Sequence, residues 1–256
     1  MLSYQHSYHA GGPADVHKHL ALTEILALLT AKERGVSYLE THAGRGLYHL
    51  DREEAQKTGE AAEGIERLDT HQHGAFFSAL AAIKSVYGDK AYPGSPLLAS
   101  EVLRPQDRIV LMEKHPQEVV ALRRAMKGSK AEVHARDGYE GAIALSPLEP
   151  RRGFILIDPS YEIKSEYQDA ADLVNKLSSR WKEAVIMVWY PLLKANRHED
   201  LYNGLNGPVL RHEVQFDLKG GKGMVGSGLA IIAAPYGTEA ALDLVMQQGH
   251  PVLRGR

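Results

Sequence analysis

The chain has 256 residues, of which 44% are hydrophobic and 24% charged, with a formal net charge of −2 and no cysteine. That length and apolar content suit one full-sized domain, or one domain carrying an insertion, and the missing cysteines exclude disulfides, thiolate metal sites and cysteine nucleophiles. No apolar run approaches the roughly 18 residues needed to cross a bilayer, and Met1 to Gly12 contain no apolar signal-peptide core, so a cytoplasmic protein with no membrane partner is expected.

Apolar residues on nearly every turn predict a helix over 20–29. A first strand over 36–40 then runs into Glu40-Thr-His-Ala-Gly44-Arg-Gly46. An acidic residue at a strand end followed by a glycine turn suits a nucleotide-like ligand, because Gly44 and Gly46 let the backbone approach it closely. The third glycine of a phosphate-binding turn is absent, and Gly220-Gly-Lys-Gly223 lacks the spacing of a P-loop. Residues 51–92 break the rhythm and read as a helical insertion, with one helix around 59–68 and another around 76–87.

A second strand over 109–113 ends in Glu113, a carboxylate suited to accept the two hydroxyls of a ribose. A helix over 118–126 and a third strand over 131–135 lead to Arg136-Asp137-Gly138, where Asp137 can accept from an adenine amine and Gly138 permits a close turn. The fourth strand, 154–158, is very apolar and delivers Asp158-Pro-Ser-Tyr161 at its carboxyl end, where open α/β sheets bind their ligands. A helix over 167–181 and strands over 185–189, 214–218 and 229–233 complete the pattern, the last two as an antiparallel hairpin closing one edge. Strands alternating with helices predict an α/β fold with a mostly parallel sheet of seven strands, covered on both faces.

Asp158-Pro-Ser-Tyr161 resembles the Asp-Pro-Pro-Tyr motif of methyltransferases that act on the amino group of adenine, with Ser160 in place of the second proline. Serine there frees φ and restores an N–H donor. The chemistry suits the motif. The lone pair of an adenine amine is delocalised into the ring. The Asp158 carboxylate and the Pro159 carbonyl can accept its two N–H bonds, and Tyr161 can stack on a base drawn out of its helix.

The N-terminal stretches Met1-Leu-Ser-Tyr4-Gln-His6-Ser-Tyr-His9-Ala-Gly11 and Ala14-Asp-Val-His-Lys18-His19 narrow the reading. With Thr41-His-Ala-Gly44, Tyr92-Pro-Gly-Ser-Pro96, Glu113-Lys-His-Pro116, Ala135-Arg-Asp-Gly138, Trp189-Tyr-Pro191 and Gly226-Ser-Gly228, the chain resembles the RlmJ (YhiR) family of bacterial 23S ribosomal RNA adenine-N6 methyltransferases. The resemblance spans almost the whole chain, least in the insertion and at the extreme C-terminus.

It implies a Rossmann-like methyltransferase domain over 1–50 and 93–256, with a helical insertion subdomain over 51–92, and S-adenosylmethionine as cofactor. His19, His42, Ser95, Glu113, Asp137 and Gly138 would contact that cofactor beside the Gly44 turn, and Asp158 would be the catalytic acceptor. Tyr4 would touch the RNA. Lys18 and His6 would support the site, Lys18 from the cofactor side and His6 from the RNA side. The expected partner is 23S ribosomal RNA, protein-free or early in assembly, with no obligate protein partner.

Two other readings stand beside it: the same chemistry on DNA, or a non-catalytic nucleic-acid-binding protein in the use of external DNA. Thirteen histidines invite a metal, but His17 and His19, like His71 and His73, are two apart and do not share a helix face, so none is expected. With near-neutral charge, RNA contact must be local. The candidate patches are Arg123, Arg124, Lys127 and Lys130; Arg151 with Arg152; and Lys219 with Lys222.

Overall fold

The computed structural model describes residues 5–216, 218 and 223–255. After a 3-10 turn at His6–Tyr8, the chain enters α1 (Pro13–Thr30) and β1 (Ser37–Glu40). β2 (Leu47–His49), α2 (Glu53–Thr58), α3 (Glu60–Glu63), α4 (Ala75–Tyr87) and β3 (Ala91–Pro93) follow. Then come α5 (Ser95–Val102), β4 (Arg108–Glu113), α6 (Pro116–Ala125), β5 (Glu132–Ala135), α7 (Gly138–Leu145) and β6 (Gly153–Ile157). The chain closes with α8 (Glu166–Arg180), β7 (Ala184–Leu193), α9 (His198–Gly204), β8 (Leu210–Gln215), β9 (Met224–Ile232), α10 (Thr238–Gln248) and β10 (Arg254–Gly255).

The central sheet has the order β10-β8-β9-β7-β6-β1-β4-β5. β5, β4, β1, β6 and β7 run parallel, and β9 pairs antiparallel with β7. The expected hairpin is β8 and β9, but it does not form the edge: the two-residue β10 pairs outside β8, giving eight strands rather than seven. The strand expected over 214–218 lies earlier, at Leu210–Gln215.

Side chains alternate across the central strands, as period-two geometry requires. Tyr38, Phe154, Leu156 and Met187 face one layer, with α1, α4, α5, α6 and α10. Leu39, Ile155, Ile157 and Val188 face the other, with α7, α8 and α9. α1 begins seven residues before the helix expected over 20–29, because Pro13 is pre-set for the first helical turn. It is buried on nearly every side, including Asp15, His17, Lys18, His19 and Thr23.

Within residues 51–92, the helix expected over 59–68 is broken into α3 and a 3-10 turn at Ile65–Arg67, with Gly64 between them. A Cβ at Gly64 would stand 2.2 Å from the Gly11 carbonyl oxygen, so the chain passes too close there for any other residue. Phe76, Phe77, Leu80 and Ile83 of α4 share one apolar cluster with Leu22 and Ile25 of α1. Removing the segment bodily would therefore strip α1 of part of its packing, and surface substitution is the cleaner probe of its role.

Candidate active site

The carboxyl ends of β1, β4, β5, β6 and β7 open into a cavity of about 470 Å³. His6, Lys18, His19, His42, Gly44, Ser95, Glu113, Asp137, Gly138, Asp158 and Pro159 all line it, so eleven residues singled out in the sequence converge on one space. Tyr4 lies outside the described residues. Tyr161 is not on the cavity wall. Its ring packs 4.4 Å from that of Tyr167, and its hydroxyl donates to the Trp189 carbonyl (2.7 Å). It sits at φ +54°, a left-handed conformation that non-glycine residues adopt at a cost. Trp189, rather than Tyr161, is the aromatic ring that reaches the cavity from this side.

Lys18 reaches across from α1 to the end of β6. Its Nζ donates to Asp158 Oδ2 (2.6 Å) and lies 3.1 Å from Asp15 Oδ1. Asp158 Oδ1 accepts no hydrogen bond among the described residues. Asp15, for which the sequence suggests no role, is 3% exposed and binds His6 Nε2 (2.9 Å) and the Gly11 amide (3.0 Å). Burial disfavours its charge, but His6 and Lys18 outweigh that and hold its carboxyl well below the usual range. Burial also opposes the charge on Lys18, and the two aspartates overcome it, so the ammonium is held above its ordinary value. His19 bonds the Tyr92 hydroxyl (2.8 Å), and burial lowers its pKa to about 3. His42 Nδ1 bonds Thr41 Oγ1 (2.7 Å) and is lowered to about 4 by burial. Both histidines are neutral at physiological pH.

On the opposite side, Glu113 folds back over the glycine turn. Its carboxylate accepts from the Gly44 amide (2.8 Å) and the His115 amide (2.7 Å). Gly44 has φ +61°, and a Cβ there would stand 2.7 Å from the Tyr48 hydroxyl. Asp137 is the N-cap of α7, accepting from the Tyr139 (3.0 Å) and Glu140 (3.2 Å) amides, and it pairs with Lys114 (3.0 Å). Burial works against its ionisation, but Lys114 and the two helix amides prevail and keep its carboxyl below the ordinary value. The close turn expected at Gly138 is a helix start. Glycine is required because a Cβ would lie 1.9 Å from the Thr41 carbonyl oxygen.

Beneath the cavity, Glu40 is fully buried, bonded to the Ser95 hydroxyl and accepting from the Tyr38 hydroxyl (2.8 Å). Burial pushes its carboxyl up to about 8, against those two hydrogen bonds. A folded-state value above the unfolded 4.5 contributes stability that is complete below pH 4.5 and lost as pH rises through 8. Glu40→Gln is therefore expected to gain melting temperature relative to wild type between pH 5 and pH 9. A difference that stays flat with pH would show that Glu40 is ionised throughout.

Behind Trp189 runs a second polar chain that spans far-apart parts of the sequence. Trp189 Nε1 donates to Ser227 Oγ (2.8 Å), Ser227 Oγ bonds His17 Nδ1 (2.8 Å), and His17 Nε2 bonds His212 Nδ1 (2.9 Å). Burial, and then the neighbouring His212, hold His17 well below its ordinary pKa. No group of three or more His, Asp or Glu able to hold a metal occurs among the described residues. Nor, among them, is any helix long and apolar enough to cross a membrane.

A family model described as "RsmJ: Ribosomal RNA large subunit methyltransferase D, RlmJ" matches residues 33–252. Two curated proteins named "Ribosomal RNA large subunit methyltransferase J" are similar over nearly their full length. The chain is 36% identical to that of Haemophilus influenzae, covering 96% of this chain and 92% of the relative. It is 35% identical to that of Escherichia coli, covering 99% and 94%. Among solved structures, a Legionella pneumophila protein of the DUF519 family superposes with a TM-score of 0.83 at 35% identity, over 95% of each chain.

Proposed function

The chain belongs to the RsmJ/RlmJ family of ribosomal RNA large subunit methyltransferases, and from that premise we propose that it methylates the N6 amine of an adenine in 23S ribosomal RNA, in the cytoplasm and without an obligate protein partner. The observation that carries this reading is the half-committed carboxylate of Asp158, which lines the cavity: Lys18 holds Oδ2 at 2.6 Å, and Oδ1 has no donor among the described residues.

The cavity fits S-adenosylmethionine, which supplies an electrophilic methyl group. Glu113 has two carboxylate oxygens with lone pairs beyond those taken by the Gly44 and His115 amides, enough to accept a ribose hydroxyl pair. The positive φ of Gly44 lets the backbone pass close to the ligand. Neutral His19 and His42 and the Ser95 hydroxyl supply uncharged polar contacts along the wall, and Asp137 with Gly138 closes the adenine end. Glu113→Ala should weaken S-adenosylmethionine binding by about 1.5–3 kcal/mol, the range for a hydrogen bond to a charged group. Calorimetry measures this, and unchanged affinity would remove Glu113 from the site.

Asp158 Oδ1 accepts one N–H of the adenine amine, and the Pro159 carbonyl is the second acceptor. Both draw the nitrogen out of conjugation with the ring and aim its lone pair. Bound S-adenosylmethionine would supply its methyl carbon to the lone pair so aimed, its sulfur leaving with the electron pair of the carbon–sulfur bond. Positive charge grows on nitrogen beside a carboxylate fixed by Lys18, which is where preorganised electrostatics lower a barrier most. Trp189 offers its ring to the base as a stacking surface. In vitro methylation of naked 23S ribosomal RNA, mapped by mass spectrometry, tests the proposal. It predicts N6-methyladenine at one site on naked RNA and less on assembled subunits; no methylation of RNA, with or without methylation of DNA, would refute it.

A further inference from the structure

Of the basic residues singled out in the sequence, several are committed within the fold. Arg151 pairs with Glu183 (3.1 Å), Arg152 donates to the Leu29 carbonyl, and Lys130 to the Pro105 carbonyl (3.1 Å). Lys219 and Lys222 lie outside the described residues. Arg124 is different. It stands in the last turn of α6 and lines a second cavity, of about 330 Å³, which shares Tyr48 with the active-site cavity.

Residues 51–92 contribute Arg52, Glu54, Ala55 and Tyr87 to the lining of that cavity. Arg52, just before α2, and Tyr87, the last residue of α4, line it together with Arg124. All three are exposed, Tyr87 at 39%. Arg52 and Arg124 have no ion-pair partner among the described residues, whereas Arg45 in the same lining is tied to Glu118 (2.7 Å). Glu54 is the acidic residue of the lining. Val86 and Val120, 72% and 61% exposed, are chain neighbours of the lining residues Tyr87 and Ala121. Unpaired guanidinium groups beside an exposed aromatic ring are what a nucleotide needs, phosphate on one and base on the other.

We propose that this groove holds a nucleotide of the RNA substrate outside the target adenine, with its phosphates on Arg52 and Arg124 and its base against Tyr87. The inference rests on the RNA-modifying function above and gives residues 51–92 a role, since they supply part of the groove's lining. It also explains how a chain of net charge −2 can hold a polyanion, by a local pair of cations rather than by bulk charge.

Filter binding of transcribed 23S ribosomal RNA, over a range of salt, tests it with Arg52→Glu/Arg124→Glu, its glutamine counterpart, and Tyr87→Ala. The charge reversal should weaken RNA binding at least about tenfold and lower the slope of log affinity against log salt by about 1.4, from two contacts at about 0.7 each on single strands. The glutamine pair should give the same fall in slope with a smaller loss of affinity. Tyr87→Ala should lose about tenfold with its salt slope unchanged, since stacking releases no counterions. S-adenosylmethionine affinity and melting temperature should stay at wild type in all three. Wild-type RNA affinity and slope in the folded variants would overturn the groove while leaving the methyltransferase reading intact. Failure of the wild-type protein to bind the RNA at all would overturn both.

Discussion

Asp158→Ala is expected to reduce single-turnover methylation by about 10²- to 10³-fold, the usual loss when a preorganised partner of transition-state charge is removed. The carboxylate meets the amine hardest when nitrogen carries positive charge, so the loss should fall on turnover and spare S-adenosylmethionine affinity. Asp158→Asn keeps an acceptor oxygen and gives up the charge, and should retain a small residual rate. Melting temperature measured on the same proteins separates this from a structural role. Near-wild-type turnover in a stable Asp158→Ala protein would end the assignment.

Lys18→Met should have the largest effect on stability. It takes the cation from between two carboxylates, Asp15 at 3% and Asp158 at 13% side-chain exposure. Removing one member of a buried ion pair costs about 3–5 kcal/mol, which for a chain of this size lowers the melting temperature by on the order of 10 °C. The sign with pH follows from the two shifts. Asp15 has a depressed folded value, so its contribution is present above the ordinary 3.8 and fades only as pH falls through the folded value. Lys18 has a raised one, so its contribution is present below the ordinary 10.5 and fades only as pH rises through the folded value. The deficit of Lys18→Met should therefore be constant between those limits. Adding Asp15→Asn should recover part of the stability and none of the methylation rate, since Asp158 would still lack its anchor. Recovery of both would make Lys18 a purely structural cation.

What the sequence made legible follows from where periodic patterns carry information. Asp158, Glu113 and Gly44 stand at the carboxyl ends of apolar strands, and the alternation of strands and helices alone says that those ends meet. α1 was legible only in its second half. Its first turns carry Asp15, His17, Lys18 and His19, polar residues that read as a surface but face the cavity and the core. Family resemblance, not periodicity, pointed to Lys18 and His19; Asp15 carried no such signal, and Glu40, which read as a strand-end acid for a ligand, is instead fully buried beneath the cavity. A buried acid is visible only through its partners, and those of Glu40 include Ser95, 55 residues away. Tyr161 misled for a related reason: an aromatic after a strand end suits stacking, yet a positive φ turns this one toward Tyr167. β10 is two residues long, too short for any pattern.

The chain of contacts from Trp189 to His212 has a direction that follows from counting hydrogens. An indole nitrogen can only donate, so Ser227 Oγ must accept from it. The single hydroxyl hydrogen of Ser227, which is fully buried, has His17 Nδ1 as its acceptor among the described residues. That leaves the His17 proton on Nε2, pointing at a bare Nδ1 of His212, whose own proton sits on Nε2. One tryptophan thus dictates the tautomers of two imidazoles. Acid closes the path in reverse: a proton arriving on His212 Nδ1 would face the His17 N–H, and the conflict could be relieved only by inverting every bond back to the serine. The orientation of the ring in the cavity is in this way wired to a histidine on β8, and nitrogen chemical shifts of His17 and His212 would read out the state of that wire.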